Sequence, residues 1–164
     1  MRDSIVDGEL FSKMGKKRPH TIATKLLLSW LQGAFGWECV EHEVSIDLSP
    51  ADNQANEPEP NIVVLNRGSL EFPESNPQPG DIVMMAEVSH TTLAFDLNRK
   101  AFLYARAGIQ EYWVLDVTGR RLIVHRSPEA GRYRSVQAYS EQESIAPLAA
   151  PQSLVAVARV LPPA

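Results

Sequence analysis

The spacing of apolar and polar positions changes period several times along the chain, and each change predicts an element. Over about 19–35, Ile22, Ala23, Leu26, Leu27, Trp30, Leu31 and Phe35 recur at helical spacing, which predicts an amphipathic helix ended by Gly33 and Gly36. Val40, Val44, Ile46 and Leu48 then alternate with Glu41, Glu43, Ser45 and Asp47, the pattern of a half-buried strand. A polar, proline-bearing loop over 49–60 leads into the continuous apolar run Ile62-Val63-Val64-Leu65. A second loop, over about 66–80, holds Pro73, Pro77 and Pro79. The strand predicted next, over 81–88, contains Ile82-Val83-Met84-Met85-Ala86, the most apolar run of the chain. Apolar residues on both alternating faces imply a strand covered on both sides of a sheet.

The C-terminal half begins with a helix predicted over 93–107 and stopped by Gly108. A strand follows over 111–117, then a tight turn at Thr118-Gly119 and strands over 120–126 and 132–139, separated by a turn over 127–131. The tail over 154–161 reads as a last strand or a short helix. This order of elements indicates one mixed α/β domain spanning 1–164.

Composition narrows the class. The 164 residues are 44% hydrophobic and 22% charged, enough for one well-packed core. No run approaches the roughly 18–20 uncharged apolar residues that span a bilayer, and the start leads into no apolar secretion segment. The single cysteine, Cys39, has no internal partner, so a reducing cytoplasm is the expected compartment. Net charge is −4, which argues against coating nucleic acid by bulk positive charge. It leaves room for a nucleic-acid enzyme with an acidic metal site and local basic patches. Two basic clusters stand out, Lys13/Lys16/Lys17/Arg18 and Arg120/Arg121/Arg126/Arg132/Arg134. Taken alone, such clusters read as solvated surface.

Glu87 is the residue that asks for an explanation. It ends the most apolar strand, and a lone buried carboxylate costs several kcal/mol unless a cation or metal pairs with it. By itself it also reads as a strand-terminal carboxylate reaching solvent, because Ser89, His90, Thr91 and Thr92 end the buried run. On the following helix, 100° steps place Leu93, Ala94, Leu97, Ala101 and Tyr104 on one apolar arc, with Lys100 at its edge. Asp96 and Lys100 at i,i+4 read most simply as a surface ion pair worth about 0.2–0.5 kcal/mol. The functional reading is that Lys100, supported by Tyr104, leans toward Glu87, where a lysine offsets charge developing on a phosphate. Asn61, at a strand entrance after Pro60, reads as a backbone-bonding residue or as a ligand. His20 reads first as a capping or packing residue, and His42 and His125 lack metal-ligand spacing. Phosphate loops, dinucleotide fingerprints, nucleophile elbows and zinc motifs are absent, which leaves a hard-metal oxygen site as the leading enzymatic option and no organic cofactor.

Taken together, several segments carry a resemblance that covers nearly the whole chain. They are Gly8-Glu9-Leu10 with His20, Glu57-Pro58-Glu59-Pro60-Asn61-Ile62-Val63-Val64, and Ala86-Glu87-Val88-Ser89. Asp96-x-x-x-Lys100-x-x-x-Tyr104 and Ala107-Gly108-Ile109-Gln110-Glu111-Tyr112-Trp113-Val114-Leu115-Asp116 complete the set. The sequence resembles the restriction-endonuclease-like family of bacterial proteins within the PD-(D/E)XK nuclease superfamily. The fold this implies is a restriction-endonuclease-like core, a mixed β-sheet flanked by helices. The resemblance puts acidic metal ligands at Asn61 and Glu87, adds the backbone carbonyl of Val88, and places the catalytic lysine at Lys100, since Ser89 occupies its usual position. Asp96, Tyr104, His20 and Glu59 are the supporting candidates, Glu59 as a substitute ligand. It implies Mg²⁺ or Mn²⁺ as cofactor, DNA as substrate, and a homodimer, for which apolar loop residues such as Leu70 and Phe72 give weak support.

One departure matters: the pattern has aspartate where this chain has Asn61. An amide oxygen can ligate a cation but brings no charge, so Mg²⁺ binding and water activation should weaken. Two functions therefore stand open, a Mg²⁺-dependent DNA endonuclease impaired at Asn61, and a non-catalytic module on the same scaffold that binds nucleic acid or protein.

Overall fold

The computed structural model describes residues 3–6, 9–12, 17–48 and 58–164. Among them, a six-stranded mixed sheet has the order β3(Val40–His42), β4(Ile62–Leu65), β5(Ile82–Ser89), β6(Glu111–Asp116), β7(Arg121–Glu129) and β8(Arg132–Ser140). All neighbours are antiparallel except β5 and β6, which run parallel with Glu87 opposite Val114. A parallel pair needs a crossover, and the helical segment between β5 and β6 supplies it. The predicted α/β class and its sheet flanked by helices are what the structure contains.

Helix α1(Arg18–Phe35) buries Ala23, Leu27 and Leu31 against Met84, Ala86 and Val88 of β5 and Trp113 and Leu115 of β6. The opposite face carries Val63, Met85, Tyr112 and Val114, packed under Leu103 and Tyr104. Successive strand residues therefore serve opposite cores, which explains why β4 and β5 are apolar throughout. Glu87 shares its face with Met85, the side covered by the helical segment after β5.

That segment departs from the predicted regular helix. It consists of α2(Leu93–Phe95), a π-helical turn at Asp96–Lys100, and α3(Ala101–Arg106). A π turn inserts extra backbone into the helix and rotates later residues relative to a 100° step. Lys100, predicted at the edge of the apolar arc, is thereby buried together with Asp96. The hydroxyl of Tyr112 donates to the Asp96 carbonyl at 2.9 Å, an additional donor for the widened turn.

The strand predicted over 40–48 is shorter than its alternation suggests. β3 ends at His42 because Glu43 takes a left-handed conformation, φ 52°, and donates its N–H to the Asn61 carbonyl at 2.9 Å. Beyond it the Ile46 N–H reaches the Pro58 carbonyl at 3.2 Å, so Ile46 and Leu48 are buried without strand geometry. Burial followed the alternation; the ladder did not. β7 runs past its predicted end to Glu129, through Ser127 at φ 59°. The tail forms β10(Val155–Ala156), paired with β9(Ser144–Ile145), and then a 3₁₀ turn, Val157–Val160. A hairpin of β1(Asp3–Val6) and β2(Glu9–Ser12), which hydrophobic patterning did not predict, pairs Asp3 with Ser12. Gly8 and Glu57 of the family motifs lie outside the described residues, as do Lys13 and Lys16 of the first basic cluster.

Candidate active site

The β4–β5 register pairs Ile62 with Ala86, which sets Asn61 and Glu87 at the same end of the two strands. The Asn61 N–H donates to Glu87 Oε1 at 3.0 Å, and the Val88 N–H donates to Asn61 Oδ1 at 2.7 Å. From the overlying helix, Lys100 Nζ donates to Glu87 Oε2 at 2.7 Å and the Tyr104 hydroxyl to the same oxygen at 3.1 Å. Lys100 and Tyr104 are four residues apart on the helix and so share a face. Glu87 and Lys100 are each 1% exposed and Asn61 2%. Neither the solvent-reaching carboxylate nor the surface Asp96–Lys100 pair is what forms. The lysine's short contact is with Glu87, while Asp96 Oδ1 stands 3.9 Å away.

Asp96 closes the far side. Its Oδ2 accepts from Ser89 Oγ at 2.5 Å and from Thr92 Oγ1 at 2.8 Å. Burial and the nearby Glu87 carboxylate push its carboxyl up to about 6, opposed by Lys100 and by the two hydroxyl donors. Burial, with Glu87 next in weight, holds the Tyr104 hydroxyl well above its ordinary range, so it remains a proton donor. Lys100 Nζ also lies 5.7 Å from the centroid of the Phe95 ring.

The donor set suits a hard cation in kind and is poor in charge. Glu87 supplies one carboxylate at the junction of β4 and β5, and Asn61 supplies a neutral amide. Because Oδ1 accepts from Val88, the amide orientation is set, and buried Nδ2 is left with no hydrogen-bond partner. A donor thus stands at position 61 where an aspartate would present a second oxygen. No group of three or more His, Cys, Asp or Glu side chains able to hold a metal occurs among the described residues.

The remaining candidates fall elsewhere or play lesser parts. His20 lies on α1, on the far side of the sheet from Lys100, with its Nδ1 3.4 Å from Thr24 Oγ1. Glu59 is half-buried on the approach to β4. Residue-by-residue reading missed Ser89 and Thr92 as the partners of Asp96. Their signals were present: Ser89 shares Glu87's strand face, and Thr92 precedes Asp96 by one turn. It also missed buried Glu111, whose carboxylate takes the Trp113 indole N–H, Arg126 and the Leu148 N–H, a knot that ties the sheet to the C-terminal segment.

The fold is that of a restriction-endonuclease-like protein. Residues 2–159 match the model of the family described as "Uma2: Putative restriction endonuclease", and the chain belongs to that family. A solved structure from Anabaena variabilis, described as a "putative nuclease belonging to DUF820", superposes with a TM-score of 0.70 at 12% identity. The match covers 96% of this chain and 88% of that one, and at such identity it concerns the fold. No curated protein matches the chain.

Proposed function

We propose that this chain hydrolyses phosphodiester bonds in DNA at the Glu87 centre, with Mg²⁺ or Mn²⁺ held weakly by Glu87, the Asn61 amide oxygen and the Val88 carbonyl. The observation that carries this reading is the convergence of Asn61 N–H, Lys100 and Tyr104 on one buried carboxylate, in a chain of this family. A bound cation would polarise the phosphodiester and lower the pKa of a water. Tyr104 and the Asn61 N–H orient Glu87. Lys100, once a phosphate is present, can donate to the oxygen on which charge develops. Asp96, held by Ser89 and Thr92, keeps a second carboxylate near the lysine and limits its freedom to swing away.

The Asn61 Nδ2 group favours a second reading, a non-catalytic nuclease-fold module that binds nucleic acid or a protein. Cutting of supercoiled plasmid in Mg²⁺ or Mn²⁺ by the unmodified chain, lost in Glu87→Gln, supports the hydrolase. Cutting by Asn61→Asp alone assigns this chain to the second reading. The same proposal includes a homodimer in a reducing cytoplasm, with Leu70 and Trp37 exposed beside the edge strand β3 as its contact surface. Among the described residues, no helix is long and apolar enough to cross a membrane.

A further inference from the structure

Tyr112 stands on β6, a strand that contributes none of the residues proposed to act at Glu87. Two-residue periodicity puts it on the same face as Val114, which lies opposite Glu87. The side chain is fully buried, and its ring meets Tyr104 edge-on at 4.9 Å between centroids and His125 at 5.0 Å. His125 Nδ1 also donates to the Tyr112 carbonyl at 3.0 Å, so ring and backbone are both fixed. The hydroxyl donates to the main-chain carbonyl of Asp96 at 2.9 Å. Burial, and next the Asp96 carboxylate, hold this phenol well above its ordinary range, so it stays a donor.

Asp96 opens the π turn and Lys100 closes it. A regular helix directs the Lys100 N–H to the Asp96 carbonyl, whereas a π turn bonds one residue further along. A side chain that enters the ladder is one of the few identifiable causes of such a departure. Two strands hold the two ends of Asp96: Ser89 of β5 takes its carboxylate and Tyr112 of β6 its carbonyl. With that residue pinned, the wide turn sets the phase of the helix at Lys100, whose Nζ meets Glu87 at 2.7 Å. The competing carboxylate, Asp96 Oδ1, is 3.9 Å away, so a small rotation of the turn would exchange one partner for the other.

We propose that Tyr112 is a positioning residue for Lys100: its hydroxyl, by holding the Asp96 carbonyl, keeps the π turn in the register that seats the ammonium on Glu87. The value of that seat for hydrolysis rests on the proposed function; the seat itself rests on the hydrogen bond. The test compares Tyr112→Phe with Tyr133→Phe. Both keep the ring, and both remove a buried phenol-to-carbonyl bond from the same core, since the Tyr133 hydroxyl donates to the Ile109 carbonyl at 2.8 Å. The readout is the Lys100 ammonium signal in ¹H–¹⁵N spectra, assigned by its absence in Glu87→Gln/Lys100→Met. A sealed ammonium exchanges its protons slowly, and local opening quickens the exchange.

Both variants should lower Tm to a similar extent. Exchange at Lys100 should quicken roughly 5–150-fold in Tyr112→Phe, the range for losing one buried donor, and stay unaltered in Tyr133→Phe. Equal quickening in the two, or none in either, overturns the proposal, because Tyr112 then only supports the core. An unmodified chain whose Lys100 exchanges too fast to be seen overturns it as well. Plasmid nicking is scored separately in Mn²⁺, where Tyr112→Phe should lower kcat and leave KM unaltered. A Lys100 signal disturbed by Tyr112→Phe alone, with no nicking by the unmodified chain or by Asn61→Asp, removes the hydrolase and leaves Tyr112 as the residue that seats the lysine. Nicking whose kcat Tyr112→Phe does not change keeps the hydrolase and removes the positioning role.

Discussion

Lys100 Nζ and Glu87 Oε2 meet at 2.7 Å with both side chains 1% exposed, so a full ion pair is sealed between the β5 end and the overlying helix. Desolvating two such charges costs several kcal/mol each, and the pair persists because Tyr104 and the Asn61 N–H satisfy the remaining carboxylate lone pairs. A pair this costly is weak support for stability, and its retention agrees with a functional role.

Breaking one side should therefore be worse than neutralising both. Glu87→Ala or Lys100→Ala leaves an uncompensated buried charge and should destabilise by about 3–5 kcal/mol. Glu87→Gln/Lys100→Met removes both charges at similar volume and should cost clearly less than either alanine variant. Urea denaturation of the four proteins reads this directly, and equal losses throughout would contradict the pairing.

Asn61→Asp tests the defect in the donor set. The new carboxylate can still accept from the Val88 N–H, and its second oxygen replaces the unpartnered Nδ2. Without metal it adds a like charge beside Glu87 and should lower Tm. Mn²⁺ should then raise the variant's Tm in a concentration-dependent way, and more than it raises that of the unmodified chain. An identical response of the two proteins to Mn²⁺ would show that position 61 does not face the cation.

Asp96 predicts a pH signature. Its carboxyl is raised from 3.8 to about 6, chiefly by burial and next by Glu87, so the folded chain holds this proton more tightly than the unfolded chain. The stability it contributes is full below about pH 4 and is lost as pH rises through about 6. Asp96→Asn removes that dependence. The difference in Tm between the unmodified chain and Asp96→Asn should shift against the unmodified chain as pH rises across this window. A difference independent of pH would place Asp96 in a less buried or less crowded setting.

Association should run through the β3 edge. Leu70 is 95% exposed and Trp37 75%, and their turns are joined by the Ser69 hydroxyl donating to the Glu38 carbonyl at 3.0 Å. Light scattering should give a dimer for the unmodified chain and a monomer for Trp37→Ala/Leu70→Asp. A monomeric unmodified chain would remove the dimer.

Much of this architecture was legible because hydrophobic period reports burial. The alternating cores of β4 and β5, the face of α1 and the hairpin of β7 and β8 all follow from it. Where backbone geometry departs from the regular period, the pattern misleads. The π turn at Asp96–Lys100 carries Lys100 from the edge of the arc into the core, and Glu43 at φ 52° ends a strand that alternation would continue. At the site, Glu87 was conspicuous because a carboxylate ends an apolar strand. Lys100 and Tyr104 became credible through the family motif, since spacing alone makes Lys100 a surface partner of Asp96. The roles of Ser89 and Thr92 depend on three-dimensional convergence around Asp96, which no linear pattern displays.

Glu87, Lys100 and position 61 are proposed to form one hydrolytic centre. Its most direct test is the initial rate of supercoiled-plasmid nicking in Mn²⁺ by the unmodified chain, Asn61→Asp, and Asn61→Asp carrying Lys100→Met. Slow nicking is expected of the unmodified chain, faster nicking of Asn61→Asp, and a loss of about 10²–10³-fold when Lys100 is then removed, the scale for losing one transition-state donor. Equal rates in all three, or a rate in Asn61→Asp that Lys100→Met leaves unchanged, would contradict it.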